Sequence, residues 1–347
     1  MLGWKYHEKG LCMADFLEDH QVALYLLALV AGGAASFMQS AAVLAEPLVS
    51  PALAALLLAT FLCIPLRQAA TEKPPRGFVS GLLVLNFLLV PVVLALLLAV
   101  TPAPDALLFT AALVLLAPCI DYVVVFCGLT GGSSRRLLAA TPLLLGAQLL
   151  AVPLWFFLLG HVGLWSATPV TPAALRAGAT PAVLALAVVL VPLLLAWVLQ
   201  GFQTTSHRAQ EYAEAGMVPL MLAVLFLTAA AHTHSLAGEW ASLAPLIPVY
   251  AVFALLTGVL AWWGSRHLLR PAAHPDRLAL TFSAVTRNAL IVLPLVLGLS
   301  ALAQSAGTPG ATLMPIAVVT QTLVELLVMT GMVALFRARK NRAPAPK

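Results

Sequence analysis

Residues 106–130 read ALLFTAALVLLAPCIDYVVVFCGLT. The run is long enough to cross the hydrocarbon core of a bilayer as a helix, which takes about 20 predominantly apolar residues. Pro118 interrupts it, because proline removes one helix hydrogen bond and clashes with the preceding turn. Asp121 follows and places a carboxyl within the apolar run. The stretch therefore predicts a membrane-spanning helix that breaks near its middle.

The whole chain has the composition of a membrane protein. Hydrophobic residues make up 62% of its 347 residues, charged residues make up 9%, and the mean hydropathy is +1.00. A soluble protein needs more polar side chains to cover its surface. In lipid the backbone must bond internally, and long continuous apolar runs favour helices over the short alternating strands of a barrel. The composition predicts an all-α integral membrane protein, with the lipid bilayer as a partner.

Ten apolar segments are separated by charged residues, Pro, Gly or polar clusters. The predicted spans are 21–43, 48–66, 77–101, 106–130, 137–160, 180–202, 213–235, 243–265, 278–303 and 312–336. A cytoplasmic N-terminal segment (1–20) precedes this transmembrane domain (21–337), and a basic cytoplasmic tail (338–347) follows it. The acids of the N-terminal segment argue against a cleaved signal peptide, whose start is basic and then apolar.

Basic residues predict the orientation, since cytoplasmic loops carry an excess of Lys and Arg. With the N-terminus inside, all but two of the 18 Lys and Arg residues fall on the cytoplasmic side. Arg176 is then outside, and Arg287 lies within a span. Both termini are therefore expected in the cytoplasm, with the chain in the cell membrane. The loop charges also account for the net charge of +5, so no nucleic-acid partner is expected.

Ten spans divide into two repeats of five, about 21–160 and 180–337. Because five is odd, the second repeat enters the membrane inverted, as in many secondary transporters. Pro and Gln recur with equal spacing in TPLLLGAQ of the fifth span and MPIAVVTQ of the tenth. We therefore expect two inverted five-helix repeats, whose broken fourth and ninth helices cross at mid-membrane.

Three charged residues fall deep inside predicted spans, away from their ends: Asp121, Arg287 and Glu325. A charge at mid-bilayer costs at least about 2.5 kcal/mol on insertion scales, so it usually faces a partner or a watery path. Arg287 lies in TFSAVTRNALIVLP of the ninth span, where Thr286 and Asn288 can satisfy an unwound backbone. Two broken helices at matching positions point to a central binding site. A kinked, packed helix is the alternative.

The three charges suggest two roles. Asp121 and Arg287 have opposite signs and are expected to form a structural ion pair. Glu325, in VVTQTLVELLVMTGM, has no obvious cation, and a carboxyl among Leu and Val can take up and release the proton that a proton-coupled carrier needs. The alternative is a permanently protonated Glu325 that is hydrogen-bonded to Gln321, one helical turn earlier.

The four cysteines are Cys12, Cys63, Cys119 and Cys127. They form no CxxC pattern and have no His at metal-ligand spacing, so no zinc site, disulfide framework or cofactor is predicted. Buried cysteines are usually small core hydrophobes, which fits Cys63 and Cys127. Cys119 differs because it lies at the helix break, where its soft sulfur could bind a thiophilic solute. Chemistry alone leaves both interpretations of Cys119 open.

At these residues the chain resembles the arsenical-resistance (arsenite efflux) permeases of the bile acid/sodium symporter superfamily, over roughly residues 20–337. APCIDYVVVFCGL is similar to their Ala-Pro-Cys signature in the broken fourth span, TFSAVTRNALIVLP to the broken ninth span, and LVELLVM to the Val-Glu segment of the tenth. The resemblance implies a panel (spans one, two, six and seven) that rocks against a core of the remaining spans. It also implies that the family's essential cysteine and glutamate correspond to Cys119 and Glu325.

Two departures from the family pattern bear on the substrate and the coupling ion. Many members carry Ser-Asn-Asn near the ninth-span break, where this chain has Thr286, Arg287 and Asn288. Sodium-coupled relatives carry an Asn/Ser-rich fourth span and a Glu with Gln in the ninth, which this chain lacks, so sodium is disfavoured. The resemblance implies extrusion of the trivalent metalloid arsenite, with antimonite as a further candidate, in exchange for protons. Cys119 would hold the metalloid, with Thr286 and Asn288 beside it.

Three alternatives stay open at this stage. The first is a proton- or sodium-coupled carrier of an organic anion of the bile-acid or keto-acid type, with its carboxylate on Arg287. The second is an intramembrane hydrolase, which needs two carboxyls in one site, whereas Asp121 is expected to pair with Arg287. We therefore expect no enzyme activity. The third is a non-transporting scaffold, which would not need broken helices.

Overall fold

The computed structural model describes residues 21–63, 74–119, 122–165, 179–201, 203–233, 240–267 and 273–342. Throughout these ranges the chain is helical, with turns between the helices and no β-strand. Three groups of predicted features lie outside the described residues: the N-terminal segment 1–20, Asp121, and the end of the basic tail, 343–347. Predictions that fall on them stay predictions.

Each predicted span contains helix. The helices are α1 Gln21–Ser36, α2 Gln39–Cys63, α3 Arg76–Ala99, α4 Asp105–Leu116, α5 Tyr122–Leu129, α6 Ser134–His161, α7 Ala179–Leu199, α8 Gln203–His232, α9 Leu246–His267, α10 His274–Val285, α11 Ala289–Ser305 and α12 Met314–Arg342. A single turn, Trp240–Leu243, precedes α9. Helix α3 contains a π-helical turn at Leu85–Leu89. The fourth predicted span is broken into α4 and α5, and the ninth into α10 and α11.

Two predicted boundaries are wrong. The break predicted between the sixth and seventh spans, at 203–212, is helical, because α8 begins at Gln203. The sequence suggests a break between the first two spans at 43–48, next to Pro47, but the break lies at Phe37–Met38, before α2 begins. Helix α2 continues through Pro47 and Pro51. A proline removes only one hydrogen bond of a helix, and α2 packs along α8, so the remaining contacts hold the helix together.

Several helices could cross a membrane. By length and composition alone, Ser40–Cys63, Arg76–Ala99, Ala241–Arg266 and Ala311–Ala338 are long and apolar enough. The two parts of α6, Ser134–Gln148 and Leu150–His161, meet at 46° and add a fifth span if they are counted as one. Other apolar helices are shorter, among them α4 and the 292–305 part of α11. The described residues are thus compatible with a multi-pass membrane protein.

The helices form two compact units. The first contains Met1–Cys63 and Ala187–Ala237, and the second contains Ile64–Leu186 and Gly238–Lys347. In the first unit α8 packs along α1 and α2. This close approach needs Gly32, because a Cβ there would lie 2.4 Å from the backbone oxygen of Phe226. The first unit takes in residues of the predicted spans one, two, six and seven, while the start of α7, up to Leu186, belongs to the second unit.

The second unit holds both broken helices. Helix α10 packs against α9, α3, α5 and α12, and α4 packs against α12, α11 and α3. Among the described residues of this unit, the largest fully buried side chain is that of Arg287, which has 0% exposure. A buried guanidinium must be paired or hydrogen-bonded. The surroundings of Arg287 therefore show what the centre of this unit is built to hold.

Candidate functional site

Two helices end at the same place in the second unit, and a proline accounts for the end of the first. Helix α4 stops at Leu116, and Ala117 is extended (φ −88°, ψ 109°) because a residue before proline is pushed out of the helical region. Helix α10 stops at Val285, and Thr286 is extended (φ −78°, ψ 135°). The Thr286 hydroxyl donates to the Phe282 carbonyl oxygen at 2.7 Å, which closes the last turn.

The two unwound segments pair as antiparallel backbone. The Asn288 N–H donates to the Ala117 oxygen at 2.8 Å, and the Cys119 N–H donates to the Thr286 oxygen at 3.2 Å. Pro118 lies opposite Arg287 at the centre. Helices α4 and α10 have 12 residues each, and both bonds join equivalent positions past the two helix ends. The crossing therefore has an approximate local twofold symmetry.

Proline breaks this symmetry at the centre, because Pro118 has no N–H and Arg287 has one. The Arg287 N–H donates to the Glu325 carboxyl, 3.1 Å from Oε1 and 2.9 Å from Oε2. The Gln321 side-chain amide also donates to Oε2. Glu325 is 2% exposed and lies on α12. Its carboxyl is thus attached directly to the backbone of the broken helix.

The Arg287 guanidinium reaches three helices. Its NH2 group donates to the Ser283 oxygen at 2.6 Å and to Asn86 Oδ1 at 3.0 Å, and NH1 lies 3.4 Å from the Leu115 oxygen. The guanidinium carbon is also 5.9 Å from the centre of the Phe253 ring. Two of the three oxygens are carbonyls in the last turns of α4 and α10. The cation therefore joins the C-terminal ends of the two half-helices.

Asn86 is a site residue that the sequence analysis missed. It is fully buried in the π-helical turn of α3, and its amide nitrogen donates to the Leu82 oxygen and the Ser283 hydroxyl, both at 3.0 Å. A π-helical turn within an α-helix is frequently found at a functional site. The signal was present in the sequence, since LVLNFLLVP places one amide in an otherwise apolar run.

The predicted site residues come together in part. Cys119, Thr286, Arg287 and Asn288 share the backbone pairing, all with 0–1% exposure, and Glu325 contacts it. The Gln321 contact proposed as an alternative partner for Glu325 is present; the Arg287 N–H contact was not foreseen. The predicted ion pair between Asp121 and Arg287 stays a prediction, because Asp121 lies outside the described residues.

A second polar cluster holds one end of the broken helices. Asp276, in the first turn of α10, accepts hydrogen bonds from Arg136 NH1 and the Ser133 hydroxyl, both at 2.6 Å. The Ser133 N–H donates to the Pro275 oxygen at 2.9 Å. An acid in the first turn also interacts favourably with the helix dipole. The loop between α5 and α6 is therefore fixed to the start of α10, on the side predicted to be cytoplasmic.

Comparison with known proteins identified no relative of this chain. No protein-family model matches the chain, and a search of curated proteins gives no match. The resemblance to the arsenite efflux permeases accordingly depends on the motifs around Cys119, Arg287 and Glu325. The geometry of these residues is what supports a functional proposal.

Proposed function

We propose that this chain is a secondary active carrier that extrudes arsenite from the cytoplasm in exchange for protons, with antimonite as a further candidate substrate. The observation that carries the proposal is the crossing of two unwound segments, with Cys119 in one and the Glu325 carboxyl bonded to the other. A soft ligand and a proton acceptor thereby belong to one hydrogen-bonded group.

The architecture proposed with this function is ten spans in two inverted five-helix repeats. Two observations support this architecture. The helix breaks lie one in each half of the chain, and the backbone pairing at Pro118 and Arg287 has local twofold symmetry. Crossed, discontinuous helices are the usual binding site of carriers built from inverted repeats. The proposal places this crossing at mid-membrane and both termini in the cytoplasm.

Cys119 is proposed as the metalloid ligand. Its thiol is fully buried at the end of the α4 segment, so substrate access would require the crossing to open. Sulfur is a soft donor and binds soft, thiophilic centres better than oxygen does. Thr286 and Asn288 are proposed beside the substrate. The Thr286 hydroxyl already donates within α10, so its part is chiefly to hold the backbone at the crossing.

Glu325 is proposed as the proton carrier. An ionised carboxylate accepts the Arg287 N–H strongly, whereas a protonated carboxyl accepts it more weakly. Protonation therefore loosens the contact between α12 and the crossing. Arsenite is uncharged at neutral pH, so membrane voltage alone cannot drive it, and an inward proton supplies about 2.3 kcal/mol per 100 mV.

The organic-anion alternative receives less support from the geometry. In that proposal the substrate carboxylate binds Arg287. The guanidinium instead donates to Asn86, Leu115 and Ser283, and it is fully buried among them. These contacts favour a structural cation over a substrate-binding one.

Arsenite uptake into everted membrane vesicles tests the proposal. Uptake should require an acidic vesicle interior, should vanish with a protonophore, and should be absent from vesicles that contain Cys119→Ser. The Cys127→Ala protein is the matched control, because Cys127 is equally buried but lies outside the crossing. Uptake that ignores the pH gradient, or full uptake by Cys119→Ser, would overturn the proposal and favour the organic anion.

A further inference from the structure

In the part of the chain that the structure describes, three oxygens from three helices lie within hydrogen-bond distance of the Arg287 guanidinium. They are the carbonyls of Leu115 on α4 and Ser283 on α10 and the side-chain oxygen of Asn86 on α3. The last four carbonyls of a helix have no partner within it, and they carry the negative end of the helix dipole. Both half-helices that end at the crossing therefore direct partial negative charge at one position. That position requires a cation.

In carriers with broken helices, the C-terminal ends of half-helices and unwound carbonyls coordinate the coupling cation. Neutral carbonyl and amide oxygens of this kind replace the water shell of a small inorganic cation. In this chain the same donor set is occupied by a guanidinium that belongs to the protein. Because Arg287 is covalently attached, this cation cannot leave with the transport cycle.

We propose that Arg287 is a built-in replacement for an inorganic coupling cation, so that the carrier requires neither sodium nor potassium. This inference depends on the proposed carrier function, since a coupling cation has meaning only in a carrier. It explains why the guanidinium is directed at helix ends rather than at a substrate. It also identifies Arg287 as the residue that determines coupling-ion specificity, which leaves the proton at Glu325 as the coupling ion.

The removal of the Arg287 side chain provides the test. In Arg287→Ala the oxygens of Leu115, Ser283 and Asn86 would lose their cation. The backbone N–H of residue 287 would still donate its hydrogen bond to the Glu325 carboxyl. Thermal unfolding of the purified protein in detergent is measured at constant ionic strength in choline chloride, NaCl, KCl, and choline chloride with millimolar methylguanidinium. The variant should unfold earlier in choline, and a saturating small cation should raise its midpoint by about 5 °C.

Two comparisons make the response specific. Arg277→Ala removes another arginine of α10, whose guanidinium lies 4.0 Å from the Trp262 ring centre and outside the crossing. The unfolding midpoint of Arg277→Ala should be the same in all four salts, and so should that of the wild type. The double variant Arg287→Ala with Asn86→Ala should lose the cation response, because one of the three oxygens is gone.

A saturable rise in Arg287→Ala with methylguanidinium, sodium or potassium, absent from the wild type, supports the assignment. Equal midpoints of Arg287→Ala in all four salts overturn it. If the variant does not fold, the wild type provides the test. Saturable stabilisation of the wild type by sodium or potassium would overturn the assignment, and no response to either ion would support it. The unfolding assay contains neither metalloid nor pH gradient, so its midpoints do not depend on arsenite transport. A failure of arsenite uptake in vesicles would overturn the proposed function, whereas equal midpoints would overturn the role of Arg287.

Discussion

Replacing Glu325 with Gln keeps the size of the side chain and removes its ability to release a proton. The amide oxygen can still accept the Arg287 N–H, which lies 2.9–3.1 Å from the carboxyl oxygens. With its oxygen at the Oε2 position, the amide accepts from both the Arg287 N–H and the Gln321 side chain. The new amide nitrogen then takes the Oε1 position, and the 3.1 Å contact of Oε1 with the Arg287 N–H is lost.

The stability change follows from these contacts. A hydrogen bond to a charged group contributes about 1.5–3 kcal/mol and a neutral one about 0.5–1.5 kcal/mol, so the two bonds together lose about 1–3 kcal/mol. The lower desolvation of a neutral amide offsets part of this loss. Glu325→Leu is the matched control, since it leaves the Arg287 N–H buried without an acceptor and costs about 1–3 kcal/mol more. The unfolding midpoint should therefore fall in the order wild type, Gln, Leu.

The functional assay separates exchange from net transport. In vesicles, the Glu325→Gln protein should still bind arsenite and exchange labelled for unlabelled substrate, but it should not accumulate substrate in a pH gradient. Glu325→Asp keeps the acid on a shorter side chain and should retain partial accumulation. Accumulation by the Gln variant with the normal pH dependence would refute the assignment of the proton to Glu325. A Gln variant that is no more stable than the Leu variant would refute the contact with the Arg287 N–H.

Three further outcomes are expected. Cys119→Ser should abolish arsenite extrusion while changing the free energy of unfolding by no more than about 1–2 kcal/mol. Cys63→Ala and Cys127→Ala should still transport arsenite, and full transport by the serine variant contradicts the assignment of Cys119 as the metalloid ligand. Gly32→Ala should lower the unfolding midpoint, because its Cβ would lie 2.4 Å from a backbone oxygen of α8. Gly33→Ala has 3.7 Å of room and should raise the midpoint through a helix propensity gain of up to about 1 kcal/mol; equal effects at the two glycines contradict the packing of α1. Reporter fusions should read cytoplasmic after Arg76, Arg136, Arg208, Arg270 and Arg342, and two periplasmic results contradict the ten-span plan.

Local chemistry made the helix breaks predictable. Pro118 removes an N–H and displaces Ala117 from the helical region, so the end of α4 follows from two neighbouring residues. The end of α10 was indicated only by the polar residues around Arg287, since the bond from Thr286 to the carbonyl four residues earlier is also made by threonines inside continuous helices. The missed boundary at Phe37–Met38 shows the limit of such rules. Proline at position 47 is a weaker signal than the packing of α2 along α8, and packing is not visible in a sequence.

The sequence by itself determined that the chain is helical and apolar, where two helices break, and which charged residues lie in apolar runs. These properties depend on composition and on interactions within about four residues, the reach of a helical turn. The tertiary structure decided the partners of those charges. Arg287 meets Asn86 across 201 positions of the chain, and its N–H meets Glu325 across 38. Such contacts form because buried polar groups must be satisfied, and only the packing of α3, α10 and α12 selects which groups meet.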